Sequence, residues 1–235
     1  QLIKGIGLAD ICSVSGDTRF DRVAAIAGRF EPIPLVEEFC HNSPVLVAGS
    51  TWPDDETVLA GTFHRLTGFP LKMIIAPHEI EEKNILELEK KFPEAVRFSA
   101  AKNGSLQHEK VLIIDNIGML SRLYKYGWMT YIGGGMMKNG VHNVLEAAVY
   151  NKIVLFGPFY QKYTEAIELV NSGGGISFTD EAKDGHTLKL LIETLADNES
   201  EYQLRSNAAG EFVKSNRGAT DKILYYFQEK RLLTS

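Results

Sequence analysis

Met129-Thr130-Tyr131-Ile132-Gly133-Gly134-Gly135-Met136-Met137-Lys138-Asn139-Gly140-Val141-His142-Asn143-Val144-Leu145-Glu146 passes from a short apolar run through a glycine-rich loop into a helical pattern. A strand, a glycine loop and a helix in that order mark an α/β fold. Glycine lets backbone approach an anion closely, and a helix start offers unpaired N–H groups with a partial positive charge. Phosphate or carboxylate is the guest that such a loop suits. The spacing is neither G-x-G-x-x-G nor G-x-x-x-x-G-K-[ST], so dinucleotide and P-loop readings fail. A local reading competes, because Asn143 followed by Glu146 also has the spacing of a helix N-cap box. His142 taken alone reads first as a packing or loop histidine.

The same unit recurs on both sides of this stretch. Apolar runs rich in Val and Ile occupy Val45–Ser50, Lys72–Pro77, Val96–Ala100, Lys110–Asp115, Ile153–Pro158 and Gly174–Phe178, with Met129–Gly135 among them. Most are nearly continuous in hydrophobicity, as strands covered on both faces must be. Between them lie helical patterns at Asp54–Leu66, Glu79–Phe92, Met119–Tyr126, Val144–Asn151, Tyr160–Ser172 and Leu188–Ala196. A last one runs from Tyr202 to Lys230, with breaks expected near Gly210 and Gly218. Alternating β and α units with short links predict a doubly wound parallel sheet, Rossmann-like, over residues 41–235. Residues 1–40 read as a connector with first helices: Ser15–Asp21 is polar and turn-rich, and Pro32 and Pro34 interrupt the stretch leading to residue 40.

Ligands of such sheets bind beyond the C-terminal ends of the strands. The residues there are Gly49-Ser50-Thr51, Pro77-His78, Asp115-Asn116-Ile117-Gly118, Gly133-Gly134-Gly135 and Gly157-Pro158. Each also has a local explanation. Ser50 or Thr51 can cap the next helix, Pro53 suits its first turn, and Asp54, Asp55 and Glu56 complement its dipole. Asp115 or Asn116 reads as a cap, and Trp52 as a core or lid residue. The functional alternative gives the Ser50 and Thr51 hydroxyls, or the loop N–H groups, to sugar or phosphate oxygens. Three acids just inside that helix weaken its pull on an anion, which favours the loop over the helix body.

Composition narrows the class. The chain has 235 residues, 44% hydrophobic and 23% charged, enough to bury a core. Its net charge of −5 argues against a general nucleic-acid surface. Two cysteines, Cys12 and Cys40, are too few for a disulfide framework and fit a reducing compartment. The six histidines are scattered and no C-x-x-C pair occurs, so no tightly bound metal is expected. Gln1–Ile11 has the features of neither a signal peptide nor a membrane span.

Gly16-Asp17-Thr18-Arg19-Phe20-Asp21, Ala48-Gly49-Ser50-Thr51-Trp52, Ala76-Pro77-His78, Ile114-Asp115-x-x-Gly118-x-Leu120, Gly133-Gly134 with His142-Asn143-x-x-Glu146, and Phe156-Gly157-Pro158 stand in the order and spacing of Kdo (3-deoxy-D-manno-octulosonic acid) transferases. The chain resembles that family from about residue 10 onward. The resemblance implies the C-terminal Rossmann-like domain of a two-domain GT-B glycosyltransferase, which binds CMP-Kdo. It also implies an N-terminal domain, absent from this chain, that binds lipid A precursor and carries a carboxylate base. The intact protein would then transfer Kdo from CMP-Kdo to a glucosamine hydroxyl in Gram-negative lipopolysaccharide biosynthesis, at the cytoplasmic face of the inner membrane. This chain alone would be soluble and inactive, with no catalytic residue and no cofactor beyond the donor and its CMP product.

By the same resemblance Ser50, Thr51, Pro77, His78, Ile117, Gly118, Met119, Asn143 and Glu146 line the CMP pocket, with Gly134, Gly135 and His142 beside them. Glu146 would accept from ribose hydroxyls, while Gly118 and the Gly133–Gly135 loop would face the phosphate. Two departures stand out. Many relatives have Pro-Arg-His where this chain has Pro77-His78-Glu79, and Gly-Gly-His-Asn where it has Gly140-Val141-His142-Asn143. Two alternatives are the donor domain of another GT-B enzyme, a UDP-sugar transferase or epimerase, and a non-catalytic nucleotide-binding domain.

Overall fold

Runs such as Val45-Leu46-Val47-Ala48 and Met73-Ile74-Ile75 carry apolar side chains on both faces of a strand, so both faces must be covered. They are. The structure, a computed structural model, describes residues 5, 7 and 11–230. Seven strands form one sheet: β1 (Val45–Thr51), β2 (Lys72–Pro77), β3 (Val96–Arg97), β4 (Val111–Ile113), β5 (Met129–Ile132), β6 (Ile153–Phe156) and β7 (Gly175–Ser177). Their order is β3-β4-β2-β1-β5-β6-β7, and every neighbouring pair is parallel. The chain passes from β1 to β2, goes out to the edge at β3, returns to place β4 between β2 and β3, then crosses to β5 on the other side of β1. The strand order therefore reverses between β1 and β5.

Alternate residues feed two cores. Val45, Val47, Ile74, Leu112, Ile132, Val154 and Phe156 face one layer of helices. It contains α1 (Thr18–Gly28) and α2 (Pro34–Cys40), which bury Phe20, Val23, Val36 and Phe39 there. Leu46, Ala48, Met73, Ile75, Val111, Ile113, Met129 and Leu155 face the other layer. There α3 (Pro53–Arg65), α4 (Glu82–Lys91) and α8 (His186–Ala196) bury Val58, Leu59, Ile85, Leu88, Leu188 and Ile192. Among the described residues the remaining α-helices are α5 (Leu120–Leu123), α6 (Leu145–Ala148), α7 (Thr164–Asn171), α9 (Glu199–Ser215) and α10 (Ala219–Glu229).

The segment expected as a connector is thus packed into the same core as the strands over its described part. Its polar motif works as a clamp. The Asp17 carboxylate accepts from the Arg19 backbone N–H at the start of α1, and the Arg19 guanidinium binds Glu165 of α7. Phe20 meets Phe212 of α9 edge-on at 5.4 Å. Asp21 accepts from the backbone N–H groups of Gly218 and Thr220, capping α10.

Some boundaries differ from the sequence reading. The third run shortens to Val96–Arg97, because Arg97 is drawn out to Glu82 and Glu89 and Phe98–Ala100 turns as a 3₁₀ helix. The expected break at Gly210 is absent, and α9 continues through it to Ser215. A Cβ there would collide with the Asn151 side chain, so this glycine permits a close approach rather than ending a helix. The break at Gly218 is real, at φ 103°.

Candidate functional site

Reversal of strand order, where the chain segments leave β1 and β5, marks the place at which such sheets offer a crevice to a ligand. At the end of β1 the register shifts between Gly49 and Thr51, and Ser50 takes a left-handed conformation at φ 53°. That bulge presses the Ser50 carbonyl against Gly133, where a Cβ would collide with it. Gly134, at φ 87°, fits against the Gly140 carbonyl and the His142 ring, and Gly135 against the backbone of Gly157 at the end of β6. The glycines let three strand-end loops pack backbone to backbone. Their expected role of offering N–H groups to an anion is corrected in part. The Gly133 N–H donates to the Gly49 carbonyl and the Gly134 N–H to Asp55, so both are consumed inside the protein.

Asp55 is the hub. It is fully buried in the first turn of α3 and accepts from the Trp52 backbone N–H (2.9 Å), the Gly134 N–H (2.8 Å) and the Tyr131 hydroxyl (2.6 Å). Burial pushes its pKa up, against the pull of those donors. The cap at α3 is therefore not Ser50 or Thr51. Asp55 reaches back to the N–H of Trp52, the residue at the N-cap position. Nor do the acids simply complement a dipole. Glu56 is also buried, its pKa raised by burial, and it binds the Thr51 hydroxyl and Lys91. Thr51 is 1% exposed, so its hydroxyl serves Glu56 and its carbonyl accepts from the His78 N–H. Among the described residues the Ser50 hydroxyl has no partner.

Three rings stand above this floor. The Trp52 indole Nε1–H donates to His142 Nε2 at 2.9 Å, and the two rings are 9° from parallel. His78, following Pro77 at the end of β2, stacks on both, with its centroid 4.6 Å from each. His78 thus stands in the place where the family pattern has arginine. Val141, the other departure, is buried and ties its N–H to the Phe159 carbonyl.

Asn143 and Glu146 meet at the start of α6. The Asn143 side chain accepts from the Leu145 N–H and donates to Glu146 Oε1 at 3.1 Å. The expected cap box is not formed: Val144 stands at the N-cap of α6 without a side-chain bond, Asn143 holds the Leu145 N–H from one residue earlier, and Glu146 bonds the Asn143 side-chain amide rather than a backbone N–H. Among the described residues nothing donates to Glu146 Oε2. Burial raises the Glu146 pKa, opposed by Asn143 and by Arg22.

The loop after β4 completes the rim. Asp115 does not cap; it accepts from the backbone N–H and hydroxyl of Ser99, and Met119 stands at the N-cap of α5 without a side-chain bond. Ile117 is 87% exposed, Gly118 has φ 96°, and Met119 is buried. Among the described residues the N–H groups of Ile117, Gly118 and Met119 have no acceptor. Leu120 and Tyr124 bring this loop against Gly49, so it borders the crevice. The structure therefore gathers Ser50, Pro77, His78, His142, Asn143 and Glu146, buries Thr51, Gly134 and Gly135 beneath them, and leaves Ile117 projecting. Asp55 and Trp52 organise the site beyond what their sequence context signals. Among the described residues no cluster of side chains could hold a metal, and no helix is long and apolar enough to cross a membrane.

A seven-stranded parallel sheet of this topology has the Rossmann-like fold of GT-B glycosyltransferase domains. The chain is a relative of the Kdo transferases, and its fold is that of their C-terminal domain. It is 28% identical over 192 residues to a bifunctional glycosyltransferase/methyltransferase of Fusobacterium nucleatum, covering 80% of this chain and 26% of that protein. It is 26% identical over 186 residues to the 3-deoxy-D-manno-octulosonic acid transferase of Haemophilus influenzae, covering 77% of this chain and 43% of that one. Its fold matches the crystal structure of the C-terminal CMP-Kdo binding domain of WaaA from Acinetobacter baumannii with a TM-score of 0.64 at 21% identity, covering 84% of this chain and 99% of that one. No family model matches the chain. It spans less than half the length of these two curated relatives.

Proposed function

We propose that this chain is the donor-binding domain of a Kdo transferase and holds CMP-Kdo in the crevice at β1 and β5. The observation that carries the reading is Glu146. Its carboxylate is partly desolvated, answered by one side-chain amide and, among the described residues, left with an unpartnered oxygen. A carboxylate accepts two hydroxyl donors well and repels phosphate, which suits the ribose of a nucleotide sugar. The free N–H groups of Ile117, Gly118 and Met119 then serve the phosphate, with Gly134 and Gly135 shaping the floor. Ser50, His78, His142 and Asn143 line the walls, and Thr51 and Pro77 fix the strand ends they stand on. In the intact protein, Kdo passes from this site to lipid A precursor bound by a second domain, at the cytoplasmic face of the inner membrane, as a step of lipopolysaccharide biosynthesis. The donor suffices as ligand, with no metal and no nucleic acid.

Thermal melts with nucleotides test the reading. CMP is expected to raise the melting temperature and UDP to leave it unchanged, since a ligand stabilises only the state it binds. Stabilisation by UDP without CMP would move the chain to a UDP-sugar enzyme.

A further inference from the structure

Trp52, His78 and His142 come from three different strand-end loops, and their arrangement fixes more than packing. An indole N–H can only donate, so the atom it meets must offer a lone pair. That atom is His142 Nε2, 2.9 Å away. The two ring planes are 9° from parallel, as an N–H to N bond along both rings allows, and His78 stacks on both at 4.6 Å from each. A proton on Nε2 would set two donors against each other at that distance.

We propose that Trp52 is a positioning residue that holds His142 neutral, with its proton on Nδ1. Trp52 is itself held, because its backbone N–H is bound by Asp55, which also binds the Gly134 N–H beneath the His142 ring. The groups facing His142 are His78 across the stack, Asp55 through Gly134, and Glu146 through Asn143. Burial and His78 both disfavour the imidazolium, which agrees with the geometry. Among the described residues Nδ1 has no acceptor. Its N–H is therefore a neutral donor at the crevice wall, suited to an anionic oxygen, phosphate or carboxylate, of the nucleotide sugar. That last clause rests on the function proposed above; the tautomer does not.

Nitrogen NMR of the histidine rings, recorded on the whole chain without ligand, tests the tautomer directly. In wild type, His142 should show a protonated Nδ1 and a bare Nε2 across roughly pH 6–8. Trp52→Phe keeps a ring over His78 but removes the donor. His142 should then populate both tautomers and titrate at higher pH. A protonated Nε2 in wild type, or an unchanged tautomer ratio in Trp52→Phe, overturns the proposal. Adding CMP separates the ligand clause from the rest. A shift of the His142 Nδ1–H resonance supports it, whereas calorimetric binding of CMP without that shift removes it. Absence of any CMP binding defeats the proposed function and leaves the tautomer standing on the ligand-free spectra.

Discussion

Glycines with φ near +90° can differ in what surrounds them, and Gly118 and Gly134 show the range. At Gly118 nothing lies within reach of an added Cβ, while at Gly134 it would strike the Gly140 carbonyl and the His142 ring. Gly118→Ala should cost only the left-handed penalty, about 1–2 kcal/mol. Gly134→Ala adds a backbone collision and should cost about 3 kcal/mol or more. Denaturant midpoints of the two variants read the difference directly. Glu146 makes a second residue-scale case. Burial holds its folded pKa above the ordinary glutamate value. Its contribution to stability is then complete below the ordinary range and lost as pH rises through the elevated folded value. Glu146→Gln should therefore be at least as stable as wild type at neutral pH. Affinity for CMP should nevertheless fall about tenfold or more, because charge-assisted hydrogen bonds to the ribose are lost. Calorimetric titration paired with a melt of each protein checks both halves, and equal affinities would leave Glu146 as a partner of Asn143 only.

Among the elements, the start of α3 does the most to build the site, through one side chain. Asp55→Ala strands two backbone N–H groups and the Tyr131 hydroxyl in a buried place, at a cost of about 3 kcal/mol or more. Its neighbour Asp54 pairs with Lys183 at the surface, so Asp54→Ala should cost within about 1 kcal/mol. Chemical denaturation of the pair would expose any error in this ranking. The two acids also show where sequence reading stops. All seven strands were legible, because a strand buried on both faces declares itself in a continuous apolar run. The rule that ligands meet strand ends pointed to Ser50 and His78, whereas His142 and Glu146 came from the glycine-rich loop after β5 and from the family resemblance. Nothing local distinguishes Asp55 from Asp54, since both suit a helix dipole. What separates them is the partner across space: Tyr131 and Gly134 lie 76 and 79 residues away. Trp52 was opaque for the same reason, its partner being 90 residues on. Gly210 misled in the opposite sense, because a helix-breaking residue and a close-contact residue look alike until the neighbour, Asn151, is known.

For the molecule as a whole, the decisive quantity is how much of a relative the chain represents. It corresponds to 43% of the Haemophilus influenzae transferase. General-base help and acceptor positioning are separate large factors in rate, and the function proposed above gives both to a second domain. Purified chain supplied with CMP-Kdo and lipid A precursor is expected to form no product. Turnover in that assay would relocate the base onto these residues.

The interlocked floor of the crevice has a consequence for motion as well as for fit. Loops normally trade their amide protons with water quickly, since they open without disturbing a core. The amides of Gly133, Gly134 and His142 lie in a loop yet donate to the Gly49 carbonyl, the Asp55 carboxylate and the Gly133 carbonyl. To free them, the ends of β1, β5 and β6 would have to part together. In deuterium they should exchange with the slowest strand amides, while the amides of Ile117 and Gly118 exchange at once. A ligand arriving at this crevice would therefore meet a floor that is already set and a rim that is still free to close on it.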